Sequence, residues 1–282
     1  MADEGAGANA PEAKSVEIYR FTQGSGPLLV SMPHVGTHLP EALAARMTSI
    51  ARTVPDTDWH VDRLYDFLGD LNASVLAATH SRYVIDLNRP PDDTTLYPGA
   101  NNTGLCPISR FDEGAVYEAG NEPDAAEIDR RRAQYWQPYH DAIAAALDTI
   151  HADHGYALLF EAHSIRSVVP RFFDGRLPDI NLGTGGGTSA DPELAARLVE
   201  QAGDAIDYTS VLNGRFKGGY ITRRYGNPAA HVHAVQLELA QITYMSEDPP
   251  FDFDEPTANR VRPVLRRIVE TMIDWGRERY GR

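Results

Sequence analysis

The stretch YALLFEAHS, residues 156–164, decides the fold. Gly155 ends the helical pattern before it, and the apolar run that follows reads as a buried strand carrying Glu161 and His163 towards its end. Upstream, residues 123–153 are Ala-rich and charged, the pattern of a long helix or a helix pair interrupted around Pro138. Downstream, DPELAARLVEQAG (191–203) predicts a helix with Asp191 as N-cap and Pro192 in its first turn. Short strands are expected at GYIT (219–222) and HAVQLELA (233–240), and a closing helix at Glu255–Tyr280.

In the first half, VEIYRF (16–21) alternates like a strand, QGSG turns, and PLLVSM (27–32) reads as a buried strand ended by Pro33. Helices are expected from 40 to about 51 and over DWHVDRLYDFLGDL (58–71), the second capped by Thr57 or Asp58. NASVLAAT (72–79) and RYVIDL (82–87) read as short strands, and NRPPDDTTLYPGANNTG (88–104) as a long loop. Alternating strands and helices without an internal repeat predict an α/β fold, a three-layer α/β/α arrangement around a central mixed, mostly parallel sheet. Residues 1–15 are small, polar and acidic and read as a disordered leader, with one domain from 16 to 282.

Composition narrows the function. No apolar run among the 282 residues reaches the roughly 20 needed to span a bilayer. Forty acidic against 26 basic side chains give a formal charge of −14, so the mean field repels nucleic-acid phosphates. The single cysteine, Cys106, excludes an intramolecular disulfide and any multi-cysteine zinc site, and cytoplasm is the expected compartment. GTGGGTS (183–189) lacks the Gly-Lys-Ser/Thr ending of a phosphate-binding loop and reads as plain loop.

In open α/β sheets ligands collect beyond the carboxyl ends of strands. Those positions hold His34, Asn88, Arg89, His163 and Glu238. Two histidines with a carboxylate are the usual protein ligands of a catalytic zinc, and Asp58 or Asp62 can complete the set. His34 and His38 are four residues apart, yet Pro33, Gly36 and Pro40 deny them the helical backbone that would aim both at one ion. His34, directly after a strand, is the stronger ligand candidate, and His38 reads as a loop residue near the site. Glu161 and Glu238 sit in apolar strands, where an ionised group is costly unless paired.

MPHVGTHLP, TDWHVDRLYDF, SRYVIDLNRPPD, LYPG, FEAHS and AVQLELAQ, in this order along nearly the whole chain, resemble the N-formylglutamate deformylase (amidohydrolase) family. That family hydrolyses N-formyl-L-glutamate to formate and L-glutamate in histidine degradation. Its fold is similar to that of zinc carboxypeptidases and of the aspartoacylase and desuccinylase enzymes, whose first two ligands come as His-x-x-Glu. Here Thr37 stands where that glutamate would be, so the resemblance leaves the second ligand to another residue, for which Asp58 is the choice.

The resemblance implies one zinc ion, or another divalent first-row metal, on His34, Asp58 and His163, with Glu238 as the catalytic base. It implies Asn88 and Arg89 at one substrate carboxylate. Arg82, Arg166, Arg215 and Arg223 are further candidates for substrate binding, because guanidinium groups meet carboxylates in pairs of hydrogen bonds. The expected partner is a small acidic N-formyl amino acid, with neither nucleic acid nor membrane. A related amidohydrolase for another N-acyl amino acid, or a noncatalytic binder of acidic amino-acid derivatives, are the alternatives.

Overall fold

The computed structural model describes residues 16–96, 99 and 101–281. The expected leader, and Tyr97 and Pro98 of LYPG, lie outside these. Seven strands form one sheet: β1 (Tyr19–Thr22), β2 (Leu28–Met32), β3 (Ser74–Ala78), β4 (Ala157–Ile165), β5 (Ile180–Gly183), β6 (Ser210–Leu212) and β7 (Val232–Ala240). Their order is β1-β3-β2-β4-β7-β5-β6. The central strands β3, β2, β4 and β7 are parallel, whereas β1 and β5 run antiparallel to β3 and β7, so the sheet is mixed and mostly parallel as expected.

The helices are α1 (Glu41–Ala44), α2 (Val61–Leu64), α3 (Ala125–Arg131), α4 (Gln137–His154), α5 (Pro192–Gly203), α6 (Tyr220–Tyr225) and α7 (Glu255–Tyr280). Alternation along the buried strands sends residues to opposite faces. Leu28, Val30, Leu158, Phe160 and Leu237 pack with Leu194, Leu198, Leu265 and Ile268 of α5 and α7. Leu29, Leu159 and Ala234 pack on the other face with Tyr139, Ile143 and Leu147 of α4 and Ile221 of α6. The result is three layers, α/β/α. Among the described residues no helix is long and apolar enough to cross a membrane.

Several local expectations hold for the reasons given. Asp191 caps α5 as expected, accepting from Glu193 N at 2.8 Å, and Asp124, which is not among the expectations, caps α3 by accepting from Glu127 N at 2.7 Å. The interruption near Pro138 is a π-helical turn, Arg132–Trp136, between α3 and α4. The proline lies just after it within one helical run from 125 to 154, and the widened turn accommodates its missing N–H. Gly155 closes α4 in the left-handed region at φ 78°.

Four expectations need correction. The helix expected from 40 to 51 is only α1 plus a 3₁₀ turn at Ala51–Thr53. The one expected over 58–71 is α2 plus a 3₁₀ segment at Asp66–Leu71, and it starts after His60, which sits at φ 61°. RYVIDL is a series of turns rather than a strand: Arg131 Nη1 donates to Val84 O at 3.0 Å and Asp86 N donates to Leu105 O at 2.7 Å, so its polar backbone is satisfied without a ladder. GYIT leads into α6, where Ile221 N donates to the Asn88 side chain. The short strands β5 and β6 carry too little pattern to be seen in advance.

Candidate active site

On the α4 face of the sheet, two polar rows stand side by side at the carboxyl ends of the central strands. Ser31, Glu161 and Gln236 are in register across β2, β4 and β7, and one step further His163 pairs with Glu238. All five side chains are buried. The α4 face of these strands is apolar at Leu29, Leu159 and Ala234 and turns polar towards the carboxyl ends, while Val30, Phe160 and Leu237 alternate to the other face.

His34 follows the end of β2, and its backbone carbonyl accepts from Asp58 N at 3.0 Å. That bond brings Asp58 under the sheet ends instead of onto a helix as a cap. Asp58 Oδ2 lies 3.0 Å from Nδ1 of His163 and 3.7 Å from Nδ1 of His34, and it accepts from Ser164 N at 3.2 Å. Its other oxygen accepts from Arg82 at 2.5 Å. Ligand atoms of His34, Asp58 and His163 all lie within 4.8 Å of one another. Asp62 is elsewhere, half-exposed and paired with Arg20 at 2.8 Å. His38 packs on His80 with ring centroids 4.7 Å apart and does not line the cleft.

Both histidines are held from behind by carboxylates. Nε2 of His34 lies 2.7 Å from Oδ1 of Asp86, and Nε2 of His163 lies 3.2 Å from Oε2 of Glu161. Burial works against the charge of Asp86, but His34, Arg89 and Arg82 outweigh it and hold the carboxyl well below its ordinary pKa. Asp86 therefore accepts from His34 Nε2, and the other ring nitrogen, Nδ1, is buried with no hydrogen-bond partner among the described residues. Burial likewise opposes ionisation of Asp58, and Arg82 and His163 outweigh it to lower its pKa. For His163 burial disfavours the imidazolium, yet Asp58 and Glu161 push the pKa up to about 10. The pocket thus favours positive charge between its carboxylates.

Glu238 shows the opposite balance. Burial, with the nearby charge of Asp58, raises its pKa to about 7 against the lowering effect of His163, Arg82 and Arg89. Gln236 accepts from Gly219 N at 2.7 Å and turns its Nε2 to Oε2 of Glu238 at 3.3 Å.

Arg82, Asn88, Arg89 and Arg215 line the same cleft, with Phe172 and Phe216 as apolar walls. The cleft is partly open and offers a volume of about 70 Å³. Arg89 is anchored by Thr103, whose carbonyl and hydroxyl accept at 3.0 and 3.1 Å. Arg215 lies over both phenylalanine rings and donates to Phe172 O at 2.7 Å. Arg166 and Arg223 do not line the cleft: Arg166 pairs with Asp248 at 3.4 Å, and Arg223 donates to Gly218 O at 2.9 Å. Gln236, Phe172 and Phe216 escaped the reading of the sequence. Gln236 had a usable signal, because it precedes Glu238 by two in an apolar strand and so shares its face.

The family model for N-formylglutamate amidohydrolase matches residues 26–245. The chain is 55% identical over 265 residues to the N-formylglutamate deformylase of Pseudomonas aeruginosa, covering 94% of this chain and 99% of that protein. It is 52% identical to that of Pseudomonas putida, with the same coverage. The crystal structure of N-formylglutamate amidohydrolase from Ralstonia eutropha JMP134 superposes with a TM-score of 0.79 at 24% identity, over 93% of this chain and 99% of that one. The matched residues include every cleft position described above, and the chain therefore belongs to the N-formylglutamate amidohydrolase family.

Proposed function

We propose that the protein hydrolyses N-formyl-L-glutamate to formate and L-glutamate, with one divalent metal ion, zinc, held by His34, Asp58 and His163. The observation that carries the reading is the meeting of these three ligand atoms within 4.8 Å, in a chain whose close relatives are named N-formylglutamate deformylase. The residues fit an ion: His34 Nδ1 is a buried nitrogen with no hydrogen-bond partner among the described residues, 3.7 Å from the Asp58 carboxylate, and such an atom is costly to leave unmatched. Two imidazoles and a carboxylate form a donor set typical of catalytic zinc. When bound, such an ion would polarise the formyl carbonyl and lower the pKa of water towards 7.

The remaining work falls to the chain. Glu238, with its pKa near 7, takes a proton from the attacking water and delivers it to the amide nitrogen as the C–N bond breaks, so the amine leaves neutral. Asn88 and Arg89 meet one substrate carboxylate, and Arg215, stationed between Phe172 and Phe216, meets the other. A formyl group is small, so a tight wall beside the histidines, with Phe172 and Phe216 narrowing the cleft, opposes longer acyl groups. The role in histidine degradation and the cytoplasmic setting rest on the family resemblance and the single cysteine, with residues 16–282 acting as one catalytic domain.

The test is formate release from N-formyl-L-glutamate by the purified protein, together with its metal content. N-acetyl- and N-succinyl-glutamate should turn over far more slowly. Equal turnover of all three would overturn the formyl specificity.

A further inference from the structure

Glu161 is fully buried in the middle of β4, yet among the described residues its ion-pair partner is His163 alone. Its Oε2 lies 3.2 Å from His163 Nε2, and its Oε1 has no hydrogen-bond partner. A carboxylate in such a place is costly to bury unless it is paired. The mechanism above makes no use of it.

A second group competes for the same ring nitrogen. Asn88 Nδ2 lies 3.1 Å from His163 Nε2, and the orientation of this amide is set because its Oδ1 accepts from Ile221 N at 2.9 Å. An amide NH₂ can only donate, so Asn88 asks Nε2 to carry the lone pair and the ring proton to sit on Nδ1, against Asp58. Glu161 asks for the reverse. As an acceptor it requires Nε2–H, so that when a metal ion displaces the proton between Nδ1 and Asp58, 3.0 Å apart, the lone pair falls on Nδ1. A hydrogen bond to a charged acceptor is about twice as strong as one between neutral groups, so Glu161 prevails.

We propose that Glu161 is a positioning residue which holds the Nε2–H of His163 against the competing amide of Asn88, so that Nδ1 is presented as a metal ligand. The proposal rests on the metal reading above. It makes Glu161 for His163 what Asp86 is for His34, and the two carboxylates impose the same ring nitrogen on both histidines.

Zinc affinity of the full chain, measured by competition with a chromogenic chelator, tests this apart from turnover. Glu161→Gln should bind zinc 10- to 100-fold more weakly, the range found for such supporting groups. Adding Asn88→Leu to that variant should recover part of the affinity, since the competing donor is gone. In the zinc-loaded wild type, the ¹⁵N shift of His163 Nε2 should be that of a protonated nitrogen. A zinc Kd for Glu161→Gln within twofold of wild type, or a pyridine-like Nε2 in the wild type, overturns the proposal and leaves the metal reading standing. A wild-type chain that takes up no zinc overturns both.

Discussion

Arg82 donates to Oδ1 of Asp58 at 2.5 Å, and both side chains are buried, leaving Oδ2 turned towards the two histidines. Arg82 thus orients a carboxylate from the wall of the cleft. Removing one partner of a buried ion pair strands the other, at a cost of about 3–5 kcal/mol. Arg82→Met is therefore expected to lower the unfolding free energy by that order in urea titrations and to abolish most activity. An unchanged denaturation midpoint would contradict this role.

Asp58 and Asp62 make a matched comparison. Asp58→Asn should lose stoichiometric metal and nearly all turnover. Asp62→Asn removes only an exposed pair with Arg20, so its stability should change by less than about 1 kcal/mol and its metal content not at all. Elemental analysis of both proteins checks the contrast, and metal loss in the Asp62 variant would reverse the assignment.

Glu238→Gln keeps the size of the side chain and removes its basicity. Loss of a general base typically costs about 10²- to 10⁴-fold. The expectation is a fall of that size in kcat with metal content preserved, read from formate release and elemental analysis of the same sample.

Gly219 approaches Asn88 so closely that an added Cβ would stand 2.4 to 2.6 Å from the Asn88 side chain. Its backbone is extended, so the obstacle is contact rather than φ. Gly219→Ala should displace Asn88 and raise KM while the protein still melts cooperatively. A wild-type KM would show that Asn88 does not hold substrate.

Two buried histidines away from the cleft predict an acid limit. His233 Nδ1 accepts from Asp191 N at 3.1 Å, and His140 Nε2 lies 2.8 Å from Leu87 O while its ring stacks on Trp136. Burial lowers both pKa values to about 4. The unfolded chain protonates these rings near 6.5, so their contribution is complete above that pH and is lost as pH falls from about 6.5 towards 4. Melting temperature should decline across this window in wild type and less steeply in His233→Phe. Parallel slopes would refute the contribution of His233.

Much of the fold was legible because β4, β7 and α7 are long and strongly patterned, and because Asp191, Gly155 and Pro138 act through local chemistry. RYVIDL and GYIT were misread because side chains far away in sequence, Arg131 and Asn88, take up their backbone polar groups. Within the cleft, His34, His163 and Glu238 were visible as polar residues at strand ends. Asp58 could be placed only near a helix start, since what aims it is a bond to the His34 carbonyl that no local pattern announces. The contact of Asp86 with His34 joins residues 52 apart and has no local signature in the sequence.

The separations within the cleft govern how the protein comes into being. Asp58 and His163 are 105 residues apart, and Asn88 and His163 are 75 apart, so these pairs meet only after large loops have closed and β2 has joined β4. During refolding, metal capture should consequently be a late event that reports completion of the sheet. An ion bound only by the finished sheet also adds its own binding free energy to the native state.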